Sequence, residues 1–163
     1  MRLTVRRLRI RNNILWTMAA ALAFISCSRN TIYSHYEPVD INGWERGDTL
    51  YYHITTLRDS GNFSTQLGLR LTSTYPYQEV SLIMEQQLLP AGTMTVDTLN
   101  IKLADQEGNL NGIGLSMLDY TIPLSDILLS YSDTLKVSIR HNMRREMLPG
   151  ITSIGITLEK QYH

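Results

Sequence analysis

The chain has 163 residues, 15 basic and 15 acidic, and a single cysteine, which excludes an internal disulfide framework. Charge is unevenly distributed: Arg2, Arg6, Arg7, Arg9 and Arg11 precede every acidic residue, leaving 10 basic against 15 acidic residues beyond Ser26. Apart from Arg144-Arg145 those later cations are scattered, which argues against nucleic-acid binding because that depends on clustered cationic side chains.

The basic start leads into an apolar run, Ile14–Ile25, broken only by Thr17. As a helix it would reach about 18 Å, against the roughly 30 Å of a hydrocarbon core, so it suits the hydrophobic region of a signal peptide rather than a permanent span. The run ends in Phe24-Ile25-Ser26-Cys27, which resembles a lipobox, although Phe24 stands where leucine is commoner. Residues 1–26 are therefore expected to be a lipoprotein signal helix and residues 27–30 a short tether lipidated on Cys27. Residues 31–163 would form one folded domain. Each buried methylene contributes about 0.8 kcal/mol and one acyl chain binds only marginally, so the two or three chains of a bacterial lipoprotein would be needed to anchor the domain.

Beyond the tether the dominant signal is period-two alternation. Thr31–Tyr36 and Leu50–Thr56 are rich in Tyr, Ile and Thr. Leu67, Leu69 and Leu71 share one strand face; Val80, Leu82 and Met84 share another. Leu99, Ile101 and Leu103 follow, then a weaker strand over Met117–Ile122. Leu135, Val137 and Ile139, and finally Ile154, Ile156 and Leu158, complete the pattern. Turn chemistry separates these runs at Asn42-Gly43, Asp59-Ser60-Gly61-Asn62, Pro90-Ala91-Gly92, Glu107-Gly108-Asn109 and Pro149-Gly150. Only Pro123–Leu129 reads as briefly helical, with Ser125 or Asp126 as N-cap. The expectation is all-β: a single antiparallel β-sandwich of roughly eight one-sided strands. Its core should include Leu67, Leu69, Leu71, Leu82, Ile101, Val137, Ile139, Ile154 and Ile156.

Tyr33, Tyr36 and Trp44 follow the cysteine, and Leu69-Arg70 precedes Tyr75-Pro76-Tyr77. Asp97-Thr98 leads to Leu103-Ala104-Asp105 and then to Gly108, Gly112 and Gly114. His141-Asn142-Met143-Arg144 precedes Leu148-Pro149-Gly150-Ile151. In this order and spacing the chain resembles the GldH gliding-motility lipoproteins of the Bacteroidetes. Leu110 departs from that pattern, standing where an aromatic is expected. The resemblance implies an outer-membrane lipoprotein linked to gliding machinery and its associated secretion, and it does not imply an enzyme. Envelope proteins are the expected partners, and no enzymatic activity is expected. Ser28-Arg29-Asn30 lacks the acidic run that resembles a surface-export signal in this phylum, so the periplasmic face is expected.

The chemistry-bearing residues offer little for catalysis. Asp105–Gly112 places oxygen ligands as a calcium loop does, but Leu110 occupies the position that needs glycine and Ser116 the one that needs a bidentate glutamate, so a solvated loop is expected. His35, His53, His141 and His163 lie in separate segments, and no cofactor or metal site is expected. Loops at one end of the sandwich are the expected docking site, with Tyr75, Tyr77 and Arg144 as contacts. Proline holds Tyr75-Pro76-Tyr77 extended and removes a ladder donor, favouring exposure. Arg144 offers a fixed fork of donors, whereas Met143 should fill the core. Glu146 is a candidate partner for the arginines. Asp48-Thr49-Leu50, Asp97-Thr98-Leu99 and Asp133-Thr134-Leu135 resemble the O-glycosylation acceptor site of exported Bacteroidetes proteins, making Thr49, Thr98 and Thr134 candidates; Asp before a β-branched residue is equally a turn-to-strand entry. A carbohydrate-binding envelope module is the alternative function, and would need an exposed row of aromatics.

Overall fold

The computed structural model describes residues 30–55 and 60–161. The expected signal helix, Cys27 and the tether to Arg29, Thr56, Asp59 and His163 lie outside these residues. From Thr31 onward the described chain belongs to one compact unit, Thr31–His163.

All eight expected strands are present, and most run longer than the alternation implies. They are β1 (Thr31–Pro38), β3 (Leu50–Thr55), β4 (Gly61–Thr72), β5 (Glu79–Leu89), β6 (Thr93–Lys102), β8 (Met117–Pro123), β10 (Thr134–His141) and β12 (Ile151–Lys160). Four short elements join them: β2 (Trp44–Glu45), β7 (Ile113–Gly114), β9 (Ile127–Leu129) and β11 (Met147–Leu148). One sheet runs β1-β12-β4-β8-β7 with β9 also on β4, a second runs β3-β10-β5-β6, and β2 pairs β11. Every pairing is antiparallel.

The alternation becomes a sandwich because each sheet has one apolar face. Along β10, Leu135, Val137, Ile139 and His141 are buried while the residues between them are half-exposed. Phe63, Leu67, Leu69 and Leu71 of β4 and Ile154, Ile156 and Leu158 of β12 supply the facing layer. All nine expected core residues are buried. Tyr52 on β3 crosses the core, its hydroxyl donating to the Ile154 carbonyl at 2.9 Å. Burial raises that phenol's pKa, because the phenolate would have to lose its water.

A bulge corrects the phase of β12. Ile151 faces Leu71 but Ser153 faces Arg70, so Thr152 is one extra residue. That insertion lets Ile151 and Ile154, three apart, both point inward. Thr152 is held by its hydroxyl, which donates to the Arg70 carbonyl at 3.1 Å.

Two local expectations are corrected. Pro123–Leu129 is not helical: β8 runs to Pro123, and Ile127–Leu129 pairs with Gly61–Phe63 as β9. A helix of so few residues has little cooperative gain, whereas the strand satisfies the otherwise open edge of β4 and buries Leu129. Asp126 caps nothing there; its carboxylate accepts from Gln161 Nε2 at 3.1 Å. Gly61 and Asn62, read as part of a turn, already belong to β4.

The connections sort into two ends. Thr31, where the chain enters, pairs with Glu159 and shares its end with residues 90–92, 124–126 and 130–133. The opposite, far end gathers residues 39–49, 73–78, 103–116 and 142–150.

Candidate functional site

The far end is stitched together by backbone hydrogen bonds between segments distant in sequence. Arg46 N–H donates to the Glu146 carbonyl at 2.8 Å, Thr72 N–H to Gly150 at 2.8 Å, Ser73 N–H to Ser116 at 3.0 Å and Leu103 N–H to Gln78 at 2.8 Å. Beneath them Trp44 is 1 % exposed. Its indole N–H donates to the Asp48 carbonyl at 3.1 Å, and its ring meets His141 edge-on, with centroids 5.3 Å apart.

His141 is buried and doubly bonded. One ring nitrogen, Nε2, lies 3.1 Å from the Trp44 carbonyl, and Met143 N–H donates to the other, Nδ1, at 3.3 Å. A carbonyl can only accept and Nδ1 is receiving a proton donor, so the ring is neutral with its proton on Nε2. Burial, reinforced by the charge of Arg46, holds the imidazole below its ordinary value of 6.5. A depressed folded-state value means that only the unfolded chain takes up a proton as pH falls past the ordinary value. Stability from His141 is therefore complete above that point and is lost as pH drops from there through the folded value. His141→Gln, which can keep both hydrogen bonds, should flatten the fall in melting temperature between about pH 8 and about pH 5. An equally steep fall in this variant would assign the pH dependence to other groups.

The expected contact residues separate. Tyr75 is buried, only 5 % exposed, which corrects the expectation of an exposed side chain, while Pro76 beside it is exposed. Its hydroxyl donates to the Glu79 carbonyl at 3.2 Å, and burial raises its pKa. Proline makes the loop extended but does not turn the tyrosine outward, because the ring gains more by packing against the core. Tyr77 is half-buried and packs edge-on against Tyr75 at 5.5 Å. Arg144 is exposed, as is Arg145, and neither has an ion-pair partner among the described residues, so the candidate pairing of one of them with Glu146 is not formed. Met143 packs against the core as expected, its sulfur accepting from Ser81 N–H at 3.4 Å.

The most exposed apolar side chains of this end were not legible as contacts in the strand pattern. Ile41 is 98 % exposed, Leu115 93 % and Ile113 83 %. An Asp40 turn presents Ile41: Gly43 N–H donates to the Asp40 carbonyl and Asn42 N–H to its Oδ1. The β7–β8 hairpin presents the other two, turning through Leu115-Ser116 beside Gly114. At Gly114 φ is +137°, and a Cβ would press into the Met117 carbonyl, so only glycine suits the position. Ile41 lines an open cleft with Val39, Thr72, Thr74 and Gly150, and Thr72 is also the strand partner of Met117 on the hairpin. The available signal was an apolar residue inside turn chemistry, as in Asp40-Ile41-Asn42 and Gly112-Ile113-Gly114-Leu115.

The Asp105 loop is internally satisfied. Its carboxylate accepts from Asn109 N–H at 2.8 Å and Asn109 Nδ2 at 3.0 Å. The bonds from Asn109 hold its pKa below the usual carboxylate range. The exposed tyrosines Tyr51 and Tyr131 stand on different elements and form no row. An open depression lined by Tyr51, His53, Glu85 and Lys136 lies on the outer face of the four-stranded sheet. Its Glu85 carboxylate is engaged by Arg140 at 2.7 Å. Of the three threonines in Asp-Thr-Leu triplets, Thr98 is exposed on the edge strand β6, while Thr49 and Thr134 are half-buried.

Among known proteins, the family described as GldH lipoprotein matches residues 31–158. The gliding motility lipoprotein GldH of Flavobacterium johnsoniae is 26 % identical over 161 residues, covering 94 % of this chain and 99 % of that protein. Among solved structures, the GH115 4-O-methyl-α-glucuronidase BtGH115A aligns with a TM-score of 0.44 and 11 % identity, over 84 % of this chain and 18 % of the enzyme. A protein of Sulfurospirillum deleyianum aligns with a TM-score of 0.40 and 11 % identity, over 79 % of this chain and 99 % of that one. Likenesses of this size carry no functional argument. The family match over nearly the whole folded unit, and the full-length relative, do: this chain belongs to the GldH family of gliding-motility lipoproteins.

Proposed function

We propose that this protein is a non-enzymatic adaptor of the gliding and secretion-associated machinery. In this reading it is anchored to the outer membrane by lipid on Cys27, faces the periplasm, and docks envelope proteins through the far end of its sandwich. The observation that supports docking there is that exposed Ile41, Ile113 and Leu115 share the far end with exposed Arg144 on loops fixed by backbone hydrogen bonds. Exposed apolar side chains gain by being covered, arginine is enriched in the energetic centres of interfaces, and a preordered loop loses little entropy on docking. Tyr77 contributes at most its exposed edge. Thr98 is the most accessible of the three candidate glycosylation sites.

Leu115→Ser and Arg144→Ala should each weaken capture of envelope partners by roughly 1–2 kcal/mol or more, with melting temperature nearly unchanged. Capture by solubilised lipidated protein, measured alongside melting for both variants, checks this. Unchanged capture in both would move the docking surface elsewhere.

A further inference from the structure

The entry end carries its own exposed apolar residues, and the tether limits what can cover them. Leu128 is 72 % exposed, Tyr131 69 % and Ile32 40 %. Ile32 is the extra residue of a bulge in β1, between Thr31 facing Glu159 and Tyr33 facing Leu158. Leu128 lies on the outward side of β9, between half-buried Ile127 and buried Leu129. Tyr131 sits at the tip of a fixed turn: Asp133 N–H donates to the Ser130 carbonyl at 3.1 Å, and Ser130 N–H donates back to the Asp133 carboxylate at 2.8 Å. Ser132 holds φ at +68°, a conformation disfavoured for serine, as part of the same turn.

Register relates these residues to the start of the domain. Thr31 pairs with Glu159, Glu159 with Ser64, and Asn62 with Leu128. Leu128 is thus three strand spacings from Thr31, about 14 Å, and some 7 Å further out along the strand direction. Cys27 precedes Thr31 by four residues, which reach at most about 14 Å when fully extended. Lipid on Cys27 would therefore keep this end at the bilayer surface, within the distance at which Leu128 and Tyr131 reach the headgroups. Tyrosine and leucine suit that boundary, the ring lying among headgroups and the aliphatic chain below them. Among the described residues, Asp126, Asp133 and Glu159 outnumber Lys160 around the patch, so these side chains would not draw it to anionic lipid.

We infer that Leu128 and Tyr131 form a membrane-contact patch that seats the entry end on the bilayer. This rests on the lipid anchor proposed above and goes beyond it by assigning an orientation. β4, which runs from one end to the other, has 12 residues and spans about 40 Å at ~3.3 Å per residue, so the far end would stand about that distance from the lipid.

The test uses the lipidated full-length protein. Cys27 is the only cysteine, so once it carries lipid, Leu128→Cys, Tyr131→Cys and the far-end reference Ile41→Cys each accept one environment-sensitive nitrobenzoxadiazole label. In phosphatidylcholine vesicles, labels at 128 and 131 should emit several-fold more strongly than the label at 41, and brominated acyl chains should quench them selectively. Vesicle-bound protein with equal, water-like emission at all three positions would overturn the inference and leave the anchor standing. Protection only in native envelope fragments would also overturn it, giving the patch to a protein partner. Wild-type chain that takes up label at Cys27 and fails to float with vesicles would refute the anchor, and the seating with it.

Discussion

Trp44→Ala should be among the most damaging single substitutions in the domain, costing about 3–5 kcal/mol. Trp44 is among the largest fully buried side chains, and it closes the core where four loop segments converge. Removing it forfeits the transfer energy of the indole and leaves a cavity whose walls are tied by the β2–β11 pairing, Leu148 to Trp44 and Met147 to Glu45. Trp44→Phe should recover most of the apolar part and lose the donor to Asp48. Beyond Ser26, Trp44 is also the only tryptophan, so intrinsic fluorescence of a chain that starts at Cys27 follows this site during unfolding. Denaturant melts followed by circular dichroism give the free energies. A loss below about 1 kcal/mol for Trp44→Ala would mean that the site collapses freely and that Trp44 does not brace the far end.

Gly155→Ala should destabilise the domain by about 1–3 kcal/mol, and a second substitution should reverse the sign. Tyr36, Gly155 and Gly68 stand side by side on β1, β12 and β4. The Tyr36 ring lies flat across both glycines: a Cβ on Gly155 would come within 2.6 Å of its ring carbons, and one on Gly68 would meet its hydroxyl. Above the ring lies the Arg70 guanidinium, 4.1 Å from its centroid, and Arg70 Nε donates to Asp119 at 2.9 Å. The Cβ at Gly155 strikes the body of the ring rather than a flexible tip, so the whole ring must lift against the Arg70 guanidinium stacked above it. In a Tyr36→Ala background that obstacle is gone. Gly155→Ala should then stabilise by roughly 0.5–1 kcal/mol, because glycine in a strand loses more backbone entropy on folding than alanine. A double-mutant cycle measures the coupling directly. A penalty that persists without the tyrosine would show that the backbone at Gly155, not the ring, demands glycine.

The strand faces and the core were legible in the sequence because period-two burial is a local property. Leu67, Leu69 and Leu71, or Val137 and Ile139, need only know that one side of their own strand is dry. Membership of the GldH family was legible for a related reason, since motif order along the chain survives when pairwise identity is low. The contents of the loops were not legible, because their choices are settled by neighbours far away in sequence. Tyr75 turned inward to pack on the core. Ile127–Leu129 became a strand because Gly61–Phe63 offered an open edge. Thr152 was expelled as a bulge so that Ile151 could rejoin the core. The two glycines beneath Tyr36 gave no sign of their function, since nothing local reveals which ring will cross them. Alternation thus determined which residues are buried within a strand. Only tertiary structure decided which apolar side chains, Ile41 and Leu115 at one end and Leu128 and Tyr131 at the other, were left without cover, because cover is supplied by whichever segment the fold brings alongside.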